Sequence, residues 1–224
     1  MKNEIWIENQ KQIKLKDPIA VVGSPGLGSI GKLVVDELIE KSKAELTTSL
    51  YSSHFPVVYH TIPAYLAHYA MPGVGGIKVE KQKLDLPKVK IFTKVPSLIL
   101  VNGYHANFTG AYEIAEKVVD ILQNFGVKRI IITAGFGSKE KKVCCAATNL
   151  NLINEMKEKY NLETEYQGPF YGFCGLVFGA AKLKGIEAIS LFAGVEPKLG
   201  DPEFLAKDSA TMIADILKQM IDFS

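Results

Sequence analysis

The sequence predicts an α/β protein in which helices cover a mostly parallel, mixed sheet. Short apolar runs with strand character alternate along the chain with longer stretches whose apolar residues recur at helical spacing, a pattern typical of βαβ units. The chain has 224 residues, and 47% of them are hydrophobic. This length and composition predict a single domain, residues 1–224, with one large core.

Strands are predicted where short apolar or alternating runs are bounded by glycine, proline or polar residues. The predicted strands are residues 4–8, 19–23, 46–52, 57–60, 77–83, 90–92, 98–102, 130–134 and 188–192. Between residues 56 and 96 the sequence pattern changes: the glycine-rich stretch 71–76 is followed by residues 77–86, in which apolar and polar residues alternate. This change predicts a β-hairpin inserted into the α/β framework near residues 71–92.

Helices are predicted between these strands from apolar residues at helical spacing. They cover residues 29–41, 110–125, 150–160 and 171–183, and a last helix is predicted to start at Asp201-Pro202, an N-cap followed by proline. The fourth helix contains Gly172, Gly175 and Gly179, three and four residues apart. Because glycine disfavours a helix interior, this stripe predicts a close contact, either with the core or with another subunit.

A glycine-rich turn joins the second predicted strand to the first helix and is the strongest candidate for a ligand site. The residues Gly26, Gly28 and Gly31 spell G-x-G-x-x-G, and the overlapping Gly26-x-x-x-x-Gly31-Lys32 spells a Walker A motif up to its last position. Such a loop can present backbone N–H groups to an anion, so Gly26, Gly28, Gly31 and Lys32 form a candidate anion loop. The alternative is a tight strand-to-helix turn in which Gly31 permits close packing.

Neither nucleotide template is complete, however. The NAD template needs an acidic residue at the end of the next strand, where residues 46–53 contain no carboxylate. The Walker template needs a hydroxyl group for Mg²⁺ at position 33, which is Leu33. We therefore expect no cofactor at this loop.

Composition excludes several other classes of protein. The 26 basic and 24 acidic side chains give a net charge of +2, with no basic patch for nucleic acid. No apolar run approaches the ~20 residues that span a bilayer, and the N-terminus lacks a signal-peptide pattern, so we expect a cytoplasmic protein without membrane contact. The cysteines Cys144, Cys145 and Cys174 fit no disulfide or zinc spacing and are predicted to be small buried residues.

Several segments in order resemble the proteasome assembly chaperone 2 family in its archaeal form, over roughly residues 18–221. They are Val-Val-Gly-Ser-Pro-Gly-Leu-Gly-Ser-Ile-Gly-Lys, Leu-Ile-Leu-Val-Asn-Gly103, Ile-Ile-Ile-Thr-Ala-Gly-Phe-Gly137, Gly168-Pro-Phe-Tyr-Gly-Phe-Cys-Gly-Leu176 and the helix after Asp201-Pro202. The resemblance implies a three-layer α/β/α sandwich, phosphorylase- or hydrolase-like in fold. It also implies a non-catalytic, oligomeric chaperone whose partners are proteasome α subunits or a related family member.

In some members of that family, the resemblance implies a C-terminal docking tail of a hydrophobic residue, Tyr and any residue. This chain ends in Asp222-Phe223-Ser224, with a carboxylate in the hydrophobic position and Phe in place of Tyr. Desolvating Asp222 would cost several kcal/mol without a basic partner. Phe223 and Ser224 remain candidate partner-binding residues, together with Tyr171 and Phe173.

Homo-oligomerisation is predicted from surface patterns. The last predicted helix carries an apolar stripe that must be buried against something, and the segments 51–55 and 170–173 are rich in aromatic residues. Exposed apolar surface of this kind usually marks an interface.

An enzyme or nucleotide-binding protein on the same sheet is the alternative hypothesis. The polar residues His54, His60, His105, Asn102 and Asn107 follow predicted strands, where α/β sheets bind ligands. A phosphorylase- or hydrolase-like reaction would use one of them as general base and the glycine loops for an anion. Against it, no arginine lies in the glycine loops, Ser24 and Ser138 lack the nucleophile motif, and no metal-ligand spacing appears. No residue is therefore predicted to be catalytic.

Overall fold

A computed structural model describes residues 5–9, 13–55, 77–162, 166–198 and 204–221 of the chain. The strands are β1 Ile5–Asn9, β2 Ile19–Gly23, β3 Glu45–Ser52, β4 Lys78–Glu80, β5 Lys83–Asp85, β6 Val89–Lys94, β7 Leu98–Asn102, β8 Arg129–Gly137, β9 Val143–Ala147 and β10 Glu187–Val195. The helices are α1 Ile30–Ser42, α2 Ala111–Asn124, α3 Leu150–Tyr160, α4 Gly172–Leu183 and α5 Lys207–Met220.

Eight strands form one mixed sheet in the order β1-β3-β6-β7-β2-β8-β10-β9. The four central strands β7, β2, β8 and β10 are parallel to one another, and all other neighbours in this sheet are antiparallel. The predicted mixed sheet is confirmed, and its parallel strands lie at its centre. This centre places the carboxyl ends of β2 and β8 side by side.

Alternate residues of the central strands face two separate cores, which gives the three layers. On β2, Ala20 and Val22 belong to one core, and Val21 belongs to the other. Helices α2 and α4 cover the first core through residues such as Ile114 and Val177. Helices α1, α3 and α5 cover the second core. The predicted α/β class with a mixed sheet is confirmed.

The inserted hairpin is present but shorter than predicted. Strands β4 and β5 form a separate two-stranded sheet joined through Lys81 and Gln82, which both have positive φ (48° and 65°). The prediction of one strand over 77–83 was wrong because this two-residue turn lacks the glycine or asparagine that usually marks it. Residues 89–94 belong to the main sheet, and residues 57–60 and 71–76 lie outside the described part of the chain.

Two other predictions need correction. Strand β9 was not predicted, because its sequence Val-Cys-Cys-Ala-Ala lacks the large branched and aromatic side chains that mark strands. The last helix begins at Lys207, after the non-helical residues 204–206, and the predicted start at Asp201-Pro202 lies outside the described residues. The amide of Ala206 donates a hydrogen bond to the carbonyl oxygen of Gly28 and holds this segment against the glycine-rich turn.

Candidate functional site

A cleft of about 390 Å³ opens at the carboxyl ends of β2 and β8. Ser24 forms one wall directly after β2, and the last residues of β8, from Thr133 to Gly137, form another. The turn before α1 and the turn before α4 complete the lining. The cleft therefore gathers the glycine-rich turn and the aromatic segment 170–173, which the sequence analysis had treated as separate sites.

The glycine-rich turn is shaped more by packing than by a ligand. Gly26 lies at the exposed mouth of the cleft in an extended conformation, and a Cβ added to it would meet no atom within 4 Å. Gly28 has φ +60°, and a Cβ there would lie 2.6 Å from the Cβ of Ala206. The second glycine of the motif is thus buried beneath the segment before α5.

Gly31 brings α1 against the backbone of β8. A Cβ on Gly31 would lie 2.5 Å from the carbonyl oxygen of Thr133, and a Cβ on Gly23 would lie 2.1 Å from the carbonyl oxygen of Gly31. Only glycine permits this approach at both positions. This geometry supports the interpretation of the motif as a tight strand-to-helix turn.

The side chain of Lys32 does not line the cleft. Its ammonium group pairs with Asp36 one turn further along α1, and Asp36 also accepts a hydrogen bond of 2.5 Å from Asn102. Among the described residues that line the cleft, none carries a charge at neutral pH. The structure does not bring Lys32 together with Gly26 and Gly31 at one anion-binding surface.

An aromatic wall faces the glycine-rich turn. The ring of Tyr166 stacks on Phe192 with centroids 4.0 Å apart, and Phe170 meets the same Phe192 edge-on at 4.7 Å. Tyr171 stands at the rim with 77% of its surface exposed, whereas Phe173 is fully buried between the cleft and the first core. The expected exposure of Phe173 was therefore wrong, because its side chain belongs to the core.

Ser24 and Cys174 meet at the base of the cleft. The Ser24 hydroxyl lies 3.3 Å from the Cys174 sulfur, and both residues are buried. Burial raises the pKa of the Cys174 thiol to about 11 and outweighs the hydrogen bond from Ser24. The thiol stays protonated at neutral pH, which is the opposite of what a nucleophilic cysteine requires.

The polar residues of the enzyme hypothesis are dispersed. Asn107 lines the cleft, but neither His54 nor His105 does so among the described residues. The ring of His105 interacts with the backbone of Asn107, and burial lowers the pKa of this histidine. His60 lies outside the described residues. Within the described ranges, no group of three His, Cys, Asp or Glu side chains could hold a metal ion.

The chain's single arginine lies at the opposite end of the sheet. Arg129 starts β8 and binds Glu155 with two hydrogen bonds of 3.1 Å, and it also binds Glu187. Burial opposes ionisation of Glu155, but the hydrogen bonds and charge of Arg129 outweigh it and hold the pKa of Glu155 below its usual value. This cluster ties α3 to β8 and β10.

The apolar stripe of the last helix is covered within the chain. Ile213 and Leu217 are fully buried in the second core, and α5 packs on α1 and β10. Phe55 is also buried. Neither the apolar stripe of the last helix nor Phe55 therefore offers surface for an interface. Exposed apolar side chains lie elsewhere, at Trp6 and Ile7 of the edge strand β1 and at Val79 and Leu84, which face each other across the hairpin.

Part of the cleft lining was not predicted from the sequence. Thr133, Tyr166 and Phe192 reach the cleft from three separate parts of the chain, and no motif joins them. The Ala134–Gly137 segment gave a usable signal, because small residues follow the buried apolar residues of β8. The last three residues, Asp222 to Ser224, lie outside the described residues, so the structure places neither Phe223 nor Ser224.

Fold and cleft define a three-layer α/β/α protein with a neutral, aromatic-walled cleft at the ends of its central strands. The family model of the PAC2 family matches residues 20–224. The chain therefore belongs to the PAC2 family, and the resemblance found in the sequence is confirmed.

Solved structures with similar folds come from archaea and bacteria. PbaB of Pyrococcus furiosus, an archaeal proteasome activator, is 27% identical with a TM-score of 0.76, over 100% of this chain and 92% of PbaB. PbaA of the same organism, an archaeal homologue of proteasome-assembly chaperone, is 17% identical with a TM-score of 0.72, over 97% of this chain and 85% of PbaA.

A further relative, similar in sequence, comes from another organism. An uncharacterised protein of Methanocaldococcus jannaschii is 26% identical over 84% of this chain and 69% of its own length. In the described part of the chain, no helix is long and apolar enough to cross a membrane.

Proposed function

We propose that this chain is a non-catalytic, chaperone-like protein that acts in proteasome assembly or activation through protein–protein contacts, as an oligomer. The observation that carries the proposal is its similarity to PbaB, which extends over the whole chain at 27% identity. The proposed partners are proteasome α subunits or a related family member, and the proposed location is the cytoplasm.

The chemistry of the cleft supports a binding role over catalysis. The Cys174 thiol has a pKa of about 11, and the hydroxyl of Ser24 lies against that thiol and not against a base. Activated nucleophiles need an adjacent base or a depressed pKa. Lys32, the cation of the glycine motif, is engaged by Asp36.

The exposed apolar side chains support contact with other proteins. Trp6 and Ile7 lie on β1, an edge strand of the main sheet among the described residues, and both are more than a third exposed. Val79 and Leu84 are each about 70% exposed on the hairpin. Edge strands and exposed apolar clusters are common association surfaces.

The tail is proposed to contribute little to proteasome binding. A tail that inserts into a pocket must desolvate Asp222, and that cost offsets the gain from burying Phe223. Deleting Asp222 to Ser224 should leave α-subunit binding nearly unchanged. Replacing Asp222→Leu and Phe223→Tyr together should strengthen it.

Co-expression with the proteasome α subunit of the same organism tests the proposal. The wild-type chain and the tail variants are purified through a tag on the chain, and the α subunit is followed by size-exclusion chromatography. We expect α subunit to elute with the wild-type chain and with the tail deletion. A control at an exposed polar position of α3, Glu158→Gln, should behave as wild type. Elution of the chain free of α subunit in every case would refute the proposal.

A further inference from the structure

We propose that the cleft between the glycine-rich turn and the aromatic wall is a socket for one uncharged aromatic or branched apolar side chain of a protein partner. The inference rests on the proposed function, since it assumes that the chain works by protein contact, and it adds where and what the chain recognises. Three properties of the cleft support it.

The first property is the neutrality of the lining. The described residues around the cleft are apolar, aromatic or uncharged polar residues, with the rings of Tyr166, Phe170 and Phe192 along one wall. A charged group moved from water into such a site loses its hydration without gaining an ionic partner. The occupant is therefore uncharged, and a phosphate group is disfavoured despite the glycine motif.

The second property is that polar side chains of the lining already bond to the protein. The Thr133 hydroxyl lies 3.3 Å from the carbonyl oxygen of Val22, the Tyr166 hydroxyl donates to the carbonyl oxygen of Pro169 at 2.9 Å, and Ser24 pairs with Cys174. Sites for small polar metabolites orient them with a few placed polar groups. With these three groups engaged, the cleft is better suited to an apolar side chain than to a polar metabolite.

The third property is the rim. Tyr171 is 77% exposed beside the opening, directly before α4. A small ligand inside the cleft would leave this ring in water, whereas a protein surface that inserts one side chain would cover it. Exposed tyrosines next to a pocket are typical of the anchoring residues of protein interfaces.

Capped amino acids provide a direct probe of the socket. Isotope-labelled protein is titrated with N-acetyl-phenylalaninamide, N-acetyl-leucinamide, N-acetyl-lysinamide and adenosine, and amide resonances are followed by NMR. We expect millimolar, saturable shifts at Gly26, Gly135 and Gly137 with the phenylalanine and leucine probes and none with the lysine probe. Tighter binding of adenosine would overturn the proposal in favour of a small-molecule site.

Two variants and one control sharpen this test. Gly26→Leu adds a side chain at the mouth of the cleft, where the backbone is extended and a Cβ meets no neighbour, and Tyr171→Ala removes the rim. Gly26→Leu should weaken probe binding about tenfold, because its side chain competes with the probe for the mouth of the cleft. Tyr171→Ala should leave probe binding unchanged, because a small probe does not cover that ring, and should reduce the capture of α subunit. Gly179→Leu, at an exposed position of α4 where a Cβ also meets no neighbour, should bind the probes as wild type.

The same variants in the α-subunit co-elution assay separate this inference from the proposed function. If the wild-type chain captures α subunit but the probes leave the cleft resonances unmoved, the socket is refuted and the proposed function stands. If the probes bind selectively but no α subunit is captured, the socket stands and the proposed partner is refuted.

Discussion

The backbone amide of Ala206 donates a 2.9 Å hydrogen bond to the carbonyl oxygen of Gly28. This bond joins the segment before α5 to the centre of the glycine-rich turn, with the Cβ of Ala206 filling the space that a side chain at Gly28 would need. A sequence motif associated with phosphate binding here serves the packing of two helices.

Gly31→Ala should destabilise the protein by about 2–4 kcal/mol, the range of a backbone clash in a packed core. In an ordinary helix the same change would stabilise by up to about 1 kcal/mol. The difference arises because the new Cβ would lie 2.5 Å from the carbonyl oxygen of Thr133. Urea denaturation measures the effect, and Gly26→Ala, which meets no neighbour, is the matched control. Equal stability of the two variants would contradict the packing interpretation.

ATP and NAD should bind the turn more weakly than millimolar in isothermal titration calorimetry. The reason is that Lys32 pairs with Asp36 and that Leu33 offers no ligand to magnesium. Lys32→Ala should change the free energy of unfolding by no more than about 0.5 kcal/mol, as expected for an exposed i,i+4 pair. Micromolar nucleotide affinity that Lys32→Ala abolishes would restore the nucleotide-binding hypothesis.

The three thiols should resist alkylation in the folded protein. All three cysteines are free and buried, and burial raises the pKa of Cys145 and of Cys174 to about 11. At pH 8 only about one such thiol in a thousand is ionised. Mass spectrometry after iodoacetamide treatment should show no modification in buffer and three modifications in urea. Rapid labelling of Cys174 in buffer would show that the thiol is activated.

Removing the single arginine should make stability less dependent on pH. Because Arg129 lowers the pKa of Glu155 in the folded state, its stabilisation is complete above the unfolded pKa of about 4.3 and is lost as pH falls through the folded value. Arg129→Met should cost about 2–3 kcal/mol at pH 7, as for charged hydrogen bonds, and less below pH of about 4.

The control for this experiment is Lys159→Met. Lys159 contacts the same Glu155 at 3.5 Å but is 65% exposed, so its loss should cost less than about 0.5 kcal/mol. Urea denaturation at several pH values measures both variants. A difference between wild type and Arg129→Met that stays constant from pH 7 to acid would contradict the assignment.

Elements with strong apolar periodicity were predictable from the sequence. Short elements, and elements whose bounds depend on tertiary contacts, were not. Helix α3 was predicted at both ends because its apolar residues keep helical spacing, and in the structure Asn149 caps its start. Strand β9 was missed because its small residues acquire strand structure only by pairing with β10. The start of α5 at Lys207 was not predicted, because the segment before it is held against Gly28 by a contact between distant parts of the chain.

The candidate site shows the same division. The sequence identified the glycine-rich turn and the segment 170–173, since both carry local signals. It could not show that they share one cleft, because that depends on the sheet order that places β2 beside β8. Nor could it show that Phe173 is buried and Tyr171 exposed, because neighbouring positions at the start of α4 face opposite environments.

Native mass spectrometry of the chain, alone and mixed with the proteasome α subunit of its own organism, tests whether the chain is an oligomer that binds α subunits. It reports the copy number and the composition of any complex in one experiment. We expect an oligomer of this chain alone and a mixed complex with α subunits after mixing. A monomeric chain that forms no complex with α subunits, at concentrations of tens of micromolar, would contradict this expectation.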